Sequence, residues 1–305
     1  MKLAKRLVRT AYLRLHGRTT VYDGVPLRFP PNVGDGLLWT LRRYGTQGFE
    51  PDTWATLRAL LADAGSFLDI GSHIGMYSVL ARSIAPRTDI IAFEPVPALC
   101  KRHRAFCKAN DAAVELHQLA LSDVNRTVAL YLSAEEASEH GAELATATIA
   151  STSWQARKEH DEISVPAMTL DTFLAERELK MPLVIKIDVE DHEAAVLRGA
   201  AKTITYYQPM IVCEILPRPL RDPNNLSDDR PIAEQHENRA TVAVVGALGY
   251  VAFAIKPNGY FRFFAEDFAR ARTFTDFLLI PSELVGSTDY IRNIGALRPV
   301  MAGRV

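Results

Sequence analysis

Residues 66–75 read SFLDIGSHIG, an apolar run that closes on a turn flanked by glycines. Ser66 to Ile70 has the composition of a short buried strand, and Ile74 to Ala85 reads as a helix that Pro86 ends. Between them stand Asp69, Gly71 and Gly75 in the spacing D-x-G-x-x-x-G. Glycine turns the backbone tightly and admits a ligand where a Cβ would block it. A dinucleotide turn is spaced G-x-G-x-x-G and aims a helix N-terminus at a pyrophosphate. Here an acid sits at the strand end, where it would repel a pyrophosphate. Asp69 suits a cationic or zwitterionic ligand instead.

The alternation continues on both sides. Thr88 to Phe93 (TDIIAF) is a second apolar strand closed by Glu94-Pro95, Pro97 to Asn110 a helix, and Val114 to Leu121 a third strand. Near-continuous apolar strands in β-α-β-α-β order predict a parallel sheet covered on both faces. Upstream, Gly36 to Ala64 is helical material, its last helix started by Pro51-Asp52 and stopped by Gly65. Downstream, Val128 to Leu132 and Ile163 to Met168 read as strands able to pair. Asp171 to Glu178 is a short helix, Leu183 to Ile187 a strong strand, Glu190 to Ile204 a helix and Met210 to Ile215 a strand. Pro217 to Arg230 is a loop and Glu234 to Leu248 a helix. Tyr250 to Ile255 and Tyr260 to Phe264 form a hairpin about Pro257-Asn258-Gly259, and Thr275 to Ile280 is the last strand. The expected fold is α/β, with about seven strands, helices on both faces and an antiparallel C-terminal edge. Residues 1–64 form a basic helical extension with lead-in helices; 65–305 form the main domain, with variable insertions near 133–162 and 217–240.

The chain has 305 residues, 48% of them hydrophobic and 23% charged, enough for one large domain with a sizeable core. A formal net charge of −1 and no interleaved basic-aromatic groove speak against a nucleic-acid partner. Three cysteines without CxxC spacing give neither a disulfide framework nor a zinc site, and a reducing, cytoplasmic compartment fits. Cys100 and Cys107 keep helical step with Leu99 and Phe106, a buried helix face. Met1 to Arg18 carries six basic residues and no acid among scattered leucines. It lacks an apolar core of signal-peptide type. It is either a solvated helix packed on the domain or a basic amphipathic helix for peripheral contact with a membrane.

Four segments carry chemistry. The first is the Asp69–Gly75 turn, and S-adenosylmethionine, with its sulfonium and ammonium, matches the acid there. The second is Glu94, one βα unit later, where a carboxylate can accept both hydroxyls of a ribose. The third is Lys186-Ile-Asp188-Val-Glu190-Asp-His192-Glu193. Lys186 and Asp188 share one strand face, and Glu190 and Glu193 one helix face. The crevice of an open α/β sheet lies at such strand ends. The fourth is Glu214. Beside Asp188 it could hold Mg²⁺ or form part of a general-base site. His73 and His192 are the histidines best placed to take a proton. For each segment a structural role competes, such as a Lys186–Asp188 ion pair or acids favouring a helix start.

Together these segments resemble the FkbM family of methyltransferases. The likeness runs through FLDIGSHIGMYSVLA (67–81), IIAFEPVPALC (90–100), LALSD (119–123), VPAMTLDTFL (165–174), VIKIDVEDHEAAVLRGA (184–200) and PMIVCEI (209–215), and covers roughly 65–281. It implies a Rossmann-like class I methyltransferase fold with a seven-stranded, mostly parallel sheet. It implies S-adenosylmethionine as cofactor and O-methylation of a sugar, glycan or natural product. By the same resemblance Asp69, Gly71, Ser72 and Gly75 line the methionine side and Glu94 holds the ribose. Ser122 and Asp123 lie near the adenine, and Lys186, Asp188, Glu190 and Glu193 surround the reaction centre. Asp188 is the first catalytic candidate, then His192, Glu214 and His73. Two departures stand out: the family commonly has Gly at Asp191 and Ala-Asn at Ser72-His73. The competing readings are an N- or RNA methyltransferase, a dinucleotide-dependent oxidoreductase, and a non-catalytic binding protein on a methyltransferase fold.

Overall fold

The structure is a computed structural model and describes residues 12–13, 15–133, 147–149, 160–215, 234–264, 276–285 and 290–291. The basic segment before residue 12, most of 133–162 and the 217–230 loop lie outside the described residues.

The first strands form a hairpin absent from the expectations, β1 (Thr19–Tyr22) and β2 (Val25–Arg28). Its signal is Asp23-Gly24. Both residues adopt positive φ (48° and 80°), the demand of a two-residue hairpin turn. Helices α1 (Asp35–Tyr44) and α2 (Pro51–Leu61) follow, joined by a 3₁₀ turn at Gly45–Gly48. Pro51 opens α2, where its missing N–H has no partner to lose.

The main body alternates as expected: β3 (Ser66–Ile70), α3 (Met76–Ile84), β4 (Asp89–Phe93), α4 (Pro97–Ala109) and β5 (Glu115–His117). Then come β6 (Ala120–Leu121), β7 (Arg126–Ser133), β8 (Ala147–Thr148), β9 (His160–Met168) and α5 (Leu170–Phe173). The chain continues with β10 (Leu183–Ile187), α6 (Glu193–Gly199), α7 (Ala201–Tyr207), β11 (Met210–Glu214) and α8 (Glu234–Ala247). It ends with β12 (Tyr250–Lys256), β13 (Gly259–Phe263), β14 (Asp276–Pro281), α9 (Ser282–Val285) and β15 (Tyr290–Ile291).

One sheet runs in the order β15-β13-β12-β14-β11-β10-β3-β4-β5. Strands β11, β10, β3, β4 and β5 are parallel, and β14 pairs antiparallel with both β11 and β12. The expected antiparallel edge is therefore present. The sheet has nine strands rather than about seven, because β13 of the terminal hairpin joins it and the two-residue β15 pairs beyond. From β3 the chain builds outward one way to β4 and β5, and the other neighbour is β10. This reversal of strand order is where open α/β sheets bind ligands.

Two expected elements are divided. The strand over 114–121 stops at His117, and Ala120–Leu121 crosses to a second sheet, parallel to β9, which in turn pairs antiparallel with β7. The helix over 190–204 starts only at Glu193 and breaks at Ala200. Glu190 and Asp191 have φ of 52° and 76°, so no helix passes through them.

Every residue of β3 and β10 is buried. Alternate side chains feed two cores. Phe67 and Val184 join Leu38, Trp54 and Leu57 on one face, while Leu68 and Ile185 join Val196, Ile211 and Cys213 on the other. Cys100 and Cys107 lie on the buried face of α4, and all three cysteines are free. No helix among the described residues is long and apolar enough to cross a membrane.

Candidate active site

A cavity of about 600 Å³ opens over the C-terminal ends of β3, β4 and β10. The glycine turn contributes Gly71 and His73, the residue after β4 contributes Glu94, and the segment from β10 onward contributes Lys186, Asp188, Glu190 and His192. Apolar lining includes Phe93, Leu99 and Leu121. A wall the sequence did not announce comes from the N-terminal helices: Trp39, Thr40, Phe49 and Glu50.

The glycine turn is built around a close approach. A Cβ on Gly71 would stand 1.8 Å from the carbonyl oxygen of Asp188, at a φ of 80°. The backbone N–H groups of Gly71 and Ser72 both donate to the Phe93 carbonyl at 3.0 Å, so neither is free for a phosphate. Gly75 does a different job from the one expected. It is absent from the cavity wall, and a Cβ there would meet the buried ring of His103 at 2.6 Å. His103 in turn bonds Ser72 Oγ at 3.1 Å.

Asp69 also departs from expectation. Its side chain is 1% exposed, its Oδ2 accepts from Ser78 Oγ at 2.6 Å, and it is not part of the cavity wall. It sits beside Lys186 on the same sheet face, because the two residues are register partners on β3 and β10. Burial raises its pKa against the pull of Lys186 and Ser78.

Glu94 faces the cavity with both oxygens fixed. Oε2 accepts the His73 N–H at 2.9 Å and Oε1 the Val96 N–H at 2.8 Å. Burial pushes its pKa to about 7, against these two donors and with Asp69 and Asp188. Carboxylate oxygens keep further lone pairs for ligand hydroxyls. Ser122 and Asp123 are not in the wall. Ser122 Oγ pairs with His192 Nε2 at 2.9 Å, and Asp123 is tied to Arg198 at 2.9 Å.

On the β10 side Lys186 Nζ donates to Asp188 Oδ2 at 2.8 Å and lies 4.7 Å from the centre of the Tyr77 ring. Against burial, Asp188, Glu50 and Asp69 raise the lysine pKa and keep it charged. Burial would raise Asp188, but Lys186 and a hydrogen bond from Glu214 hold its pKa below the ordinary value. Glu214 is the converse: burial, Asp188 and Glu190 drive its pKa far up. Of the two acids Glu214 is the one whose protonated form is favoured, so Asp188 is the better placed to accept a proton. Asp188, Glu190 and Glu214 bring ligand atoms within 4.8 Å of one another, the one carboxylate group of metal-binding geometry among the described residues. Glu193 is turned away from the cavity and accepts the Asp191 N–H at 3.1 Å, bracing the turn before its own helix. Burial holds its pKa near 8.

His73 and His192 both line the cavity. Burial lowers each to about 4, so both are neutral and weakly basic at pH 7. His73 has a φ of 52° and Asp191 a φ of 76°. The two departures from the family pattern thus fall on left-handed backbone, which Gly and Asn adopt more readily.

These groups predict an unusual pH dependence of stability. His73, His103 and His192 have folded pKa values near 4, below the unfolded 6.5, so they add stability as pH rises to about 6.5 and nothing beyond. Glu94 and Glu193 have folded values near 7 and 8, above the unfolded 4.5, so their stabilisation is lost as pH rises through those values. From pH 6.5 to 8 the histidines no longer act, and Glu50, pushed to about 7, and the still higher Glu214 act in the same direction as Glu94 and Glu193. Stability is expected to fall by on the order of 2 kcal/mol or more, at roughly 1.4 kcal/mol per unit for each carboxyl that stays protonated in the folded state. Urea melts at the two pH values test this; equal or greater stability at pH 8 would contradict the assignment of these protons.

An open sheet with its cavity at the strand-order reversal, and a glycine turn after the central strand, defines the Rossmann-like class I methyltransferase fold. The description "Methyltransferase FkbM domain" matches residues 69–237, more than half of the chain. The chain belongs to the FkbM methyltransferase family. It is 31% identical over 146 residues to "Methyltransferase 1" of Beauveria bassiana, covering 45% of this chain and 59% of that protein. The chain thus spans under two thirds of this relative's length. Among solved structures, an FkbM methyltransferase from Methylobacillus flagellatus matches with a TM-score of 0.41 and 12% identity over 83% of this chain and 56% of that one. An O-methyltransferase from Bacillus cereus in complex with SAH matches with a TM-score of 0.41 and 13% identity over 81% and 88%.

Proposed function

We propose that this chain transfers a methyl group from S-adenosylmethionine to a hydroxyl of a small molecule or glycan. The observation that carries the reading is one cavity lined both by the glycine turn with Glu94, a nucleoside-type pair, and by Asp188, kept ionised by Lys186. The residues fit the cofactor: Glu94 offers a fixed carboxylate for ribose hydroxyls, Phe93 and Leu121 an apolar surface for a base, and the acids an environment for positive charge. When bound, the cofactor supplies an electrophilic methyl group on sulfur.

The chain's own part is orientation and proton handling. Lys186 and the protonated Glu214 hold Asp188 in place and ionised, so its carboxylate can accept the proton of an acceptor hydroxyl as the oxygen attacks. His192, neutral and fixed by Ser122, lines the same cavity. The N-terminal wall, with Trp39 and Phe49 beside Thr40, gives an acceptor both apolar faces and a polar contact. In this reading residues 65–305 are the methyltransferase domain and the 1–64 extension contributes to the acceptor side.

Glu94→Gln tests the nucleoside end. It leaves an amide facing a backbone N–H and removes the charge that a ribose hydroxyl meets. Affinity for S-adenosylhomocysteine is expected to fall roughly 10- to 100-fold, the range for a hydrogen bond to a charged group. Calorimetry on the folded variant measures it, and unchanged affinity would remove Glu94 from the cofactor site.

A further inference from the structure

We propose that Glu50 receives the ammonium group of the cofactor's methionine half, and that Tyr77 positions it. The inference rests on the cofactor reading above and adds a binding residue from outside the segment 69–237 that carries the family match.

An amino-acid ammonium leaving water for a protein cavity is stabilised by an acceptor there. The acid expected in that role, Asp69, is buried beneath the wall and bonded to Ser78. Asp188 is occupied by Lys186 and Glu214. Glu94 is the acid the cofactor reading assigns to the ribose, and both its oxygens are held by backbone N–H groups. Glu50 is differently placed. It lines the cavity, and its Oε2 accepts the Tyr77 hydroxyl at 2.5 Å. No described group donates to its Oε1. One oxygen is pinned and the other is presented.

The local backbone accords with this. Glu50 occupies the N-cap position of α2, where a short acid would satisfy the helix, yet its side chain makes no capping bond. It adopts φ 31° and ψ 59°, a left-handed conformation that costs a non-glycine residue on the order of 1 kcal/mol. The side chain turns inward to Tyr77 instead. Tyr77 is buried on α3, two residues after Gly75, with the Phe49 ring 5.2 Å from its own, centre to centre. Lys186 stands 4.7 Å from the centre of that ring and pairs with Asp188. Burial pushes the Glu50 pKa to about 7, against the pull of Lys186 and the Tyr77 hydroxyl, so an ammonium at its open oxygen would hold it ionised.

The test compares two ligands on three proteins by calorimetry. S-adenosylhomocysteine carries the ammonium; 5′-methylthioadenosine has the same nucleoside and no amino acid. Glu50→Gln is expected to weaken the first about 10- to 50-fold, within the range for a charge-assisted hydrogen bond, and to leave the second within twofold. Tyr77→Phe keeps the ring packing and is expected to act in the same direction by a smaller factor. It also reports if Glu50→Gln melts below the assay temperature. Wild-type affinity of Glu50→Gln for S-adenosylhomocysteine, or equal loss of both ligands, would overturn the proposal. Wild-type protein that binds neither ligand would instead overturn the cofactor reading on which it stands.

Discussion

Gly71→Ala is expected to destabilise the protein by roughly 3 kcal/mol or more and to abolish cofactor binding. Two penalties combine. Alanine at φ 80° sits in left-handed backbone, costing about 1 kcal/mol or somewhat more. The larger one is steric: the new Cβ would lie 1.8 Å from the Asp188 carbonyl oxygen, well inside contact distance, and that atom is backbone. Relief requires β3 and β10 to separate at their C-terminal ends, where they are hydrogen-bonded through Asp188 N–H and the Ile70 carbonyl at 3.0 Å. Gly24→Ala is the control. Gly24 has the same φ of 80° and nothing within 4 Å of a Cβ, so only the backbone penalty applies. Urea unfolding of both variants separates the terms. Similar losses in the two would show that the crossing at Asp188 relaxes freely.

The second large effect is Asp188→Asn, expected to lower methyl transfer by about 10²- to 10⁴-fold while S-adenosylhomocysteine affinity changes only a few-fold. The amide cannot take a proton from an acceptor hydroxyl. It also leaves the 3%-exposed Lys186 without its nearest counter-charge. Breaking a buried pair from one side costs about 3–5 kcal/mol at the upper end. Two features moderate that here: the amide oxygen can still accept from Lys186, and Glu214, relieved of the neighbouring charge, can ionise. Lys186→Met added to Asp188→Asn is therefore expected to recover stability and not turnover. Labelled methyl incorporated from S-adenosylmethionine, read beside a thermal melt, separates the two. Near-normal turnover in folded Asp188→Asn would remove Asp188 from the chemistry.

What the sequence made legible is what short stretches encode. The β3 turn, Glu94 after β4, and Lys186 with Asp188 on one strand face were readable because spacing alone fixes their geometry. Asp69 misled because a residue at a strand end faces either the crevice or the neighbouring strand, and register with Lys186 chose the latter. Gly75 misled for a related reason: the atom that needs its missing Cβ is His103, 28 residues later in sequence. Glu193 was placed at the reaction centre by the family resemblance, on a helix expected to begin at Glu190. Positive φ at Glu190 and Asp191 delays the start and turns the side chain back. Glu214 was placed correctly beside Asp188, but only the fold shows which of two adjacent acids keeps the proton. Glu50, Tyr77 and the Trp39 wall had no local signature. Glu50 and the Trp39 wall meet the cavity, and Tyr77, through the placement of α1 and α2, a long-range contact that no spacing rule reports.

The central claim is that the cavity is built for a sulfonium cofactor rather than a dinucleotide. Calorimetric titration of the wild-type protein with S-adenosylhomocysteine and, separately, NADH tests it most directly. Micromolar binding of S-adenosylhomocysteine with none of NADH is the predicted result. Folded protein that binds NADH and ignores S-adenosylhomocysteine would contradict it.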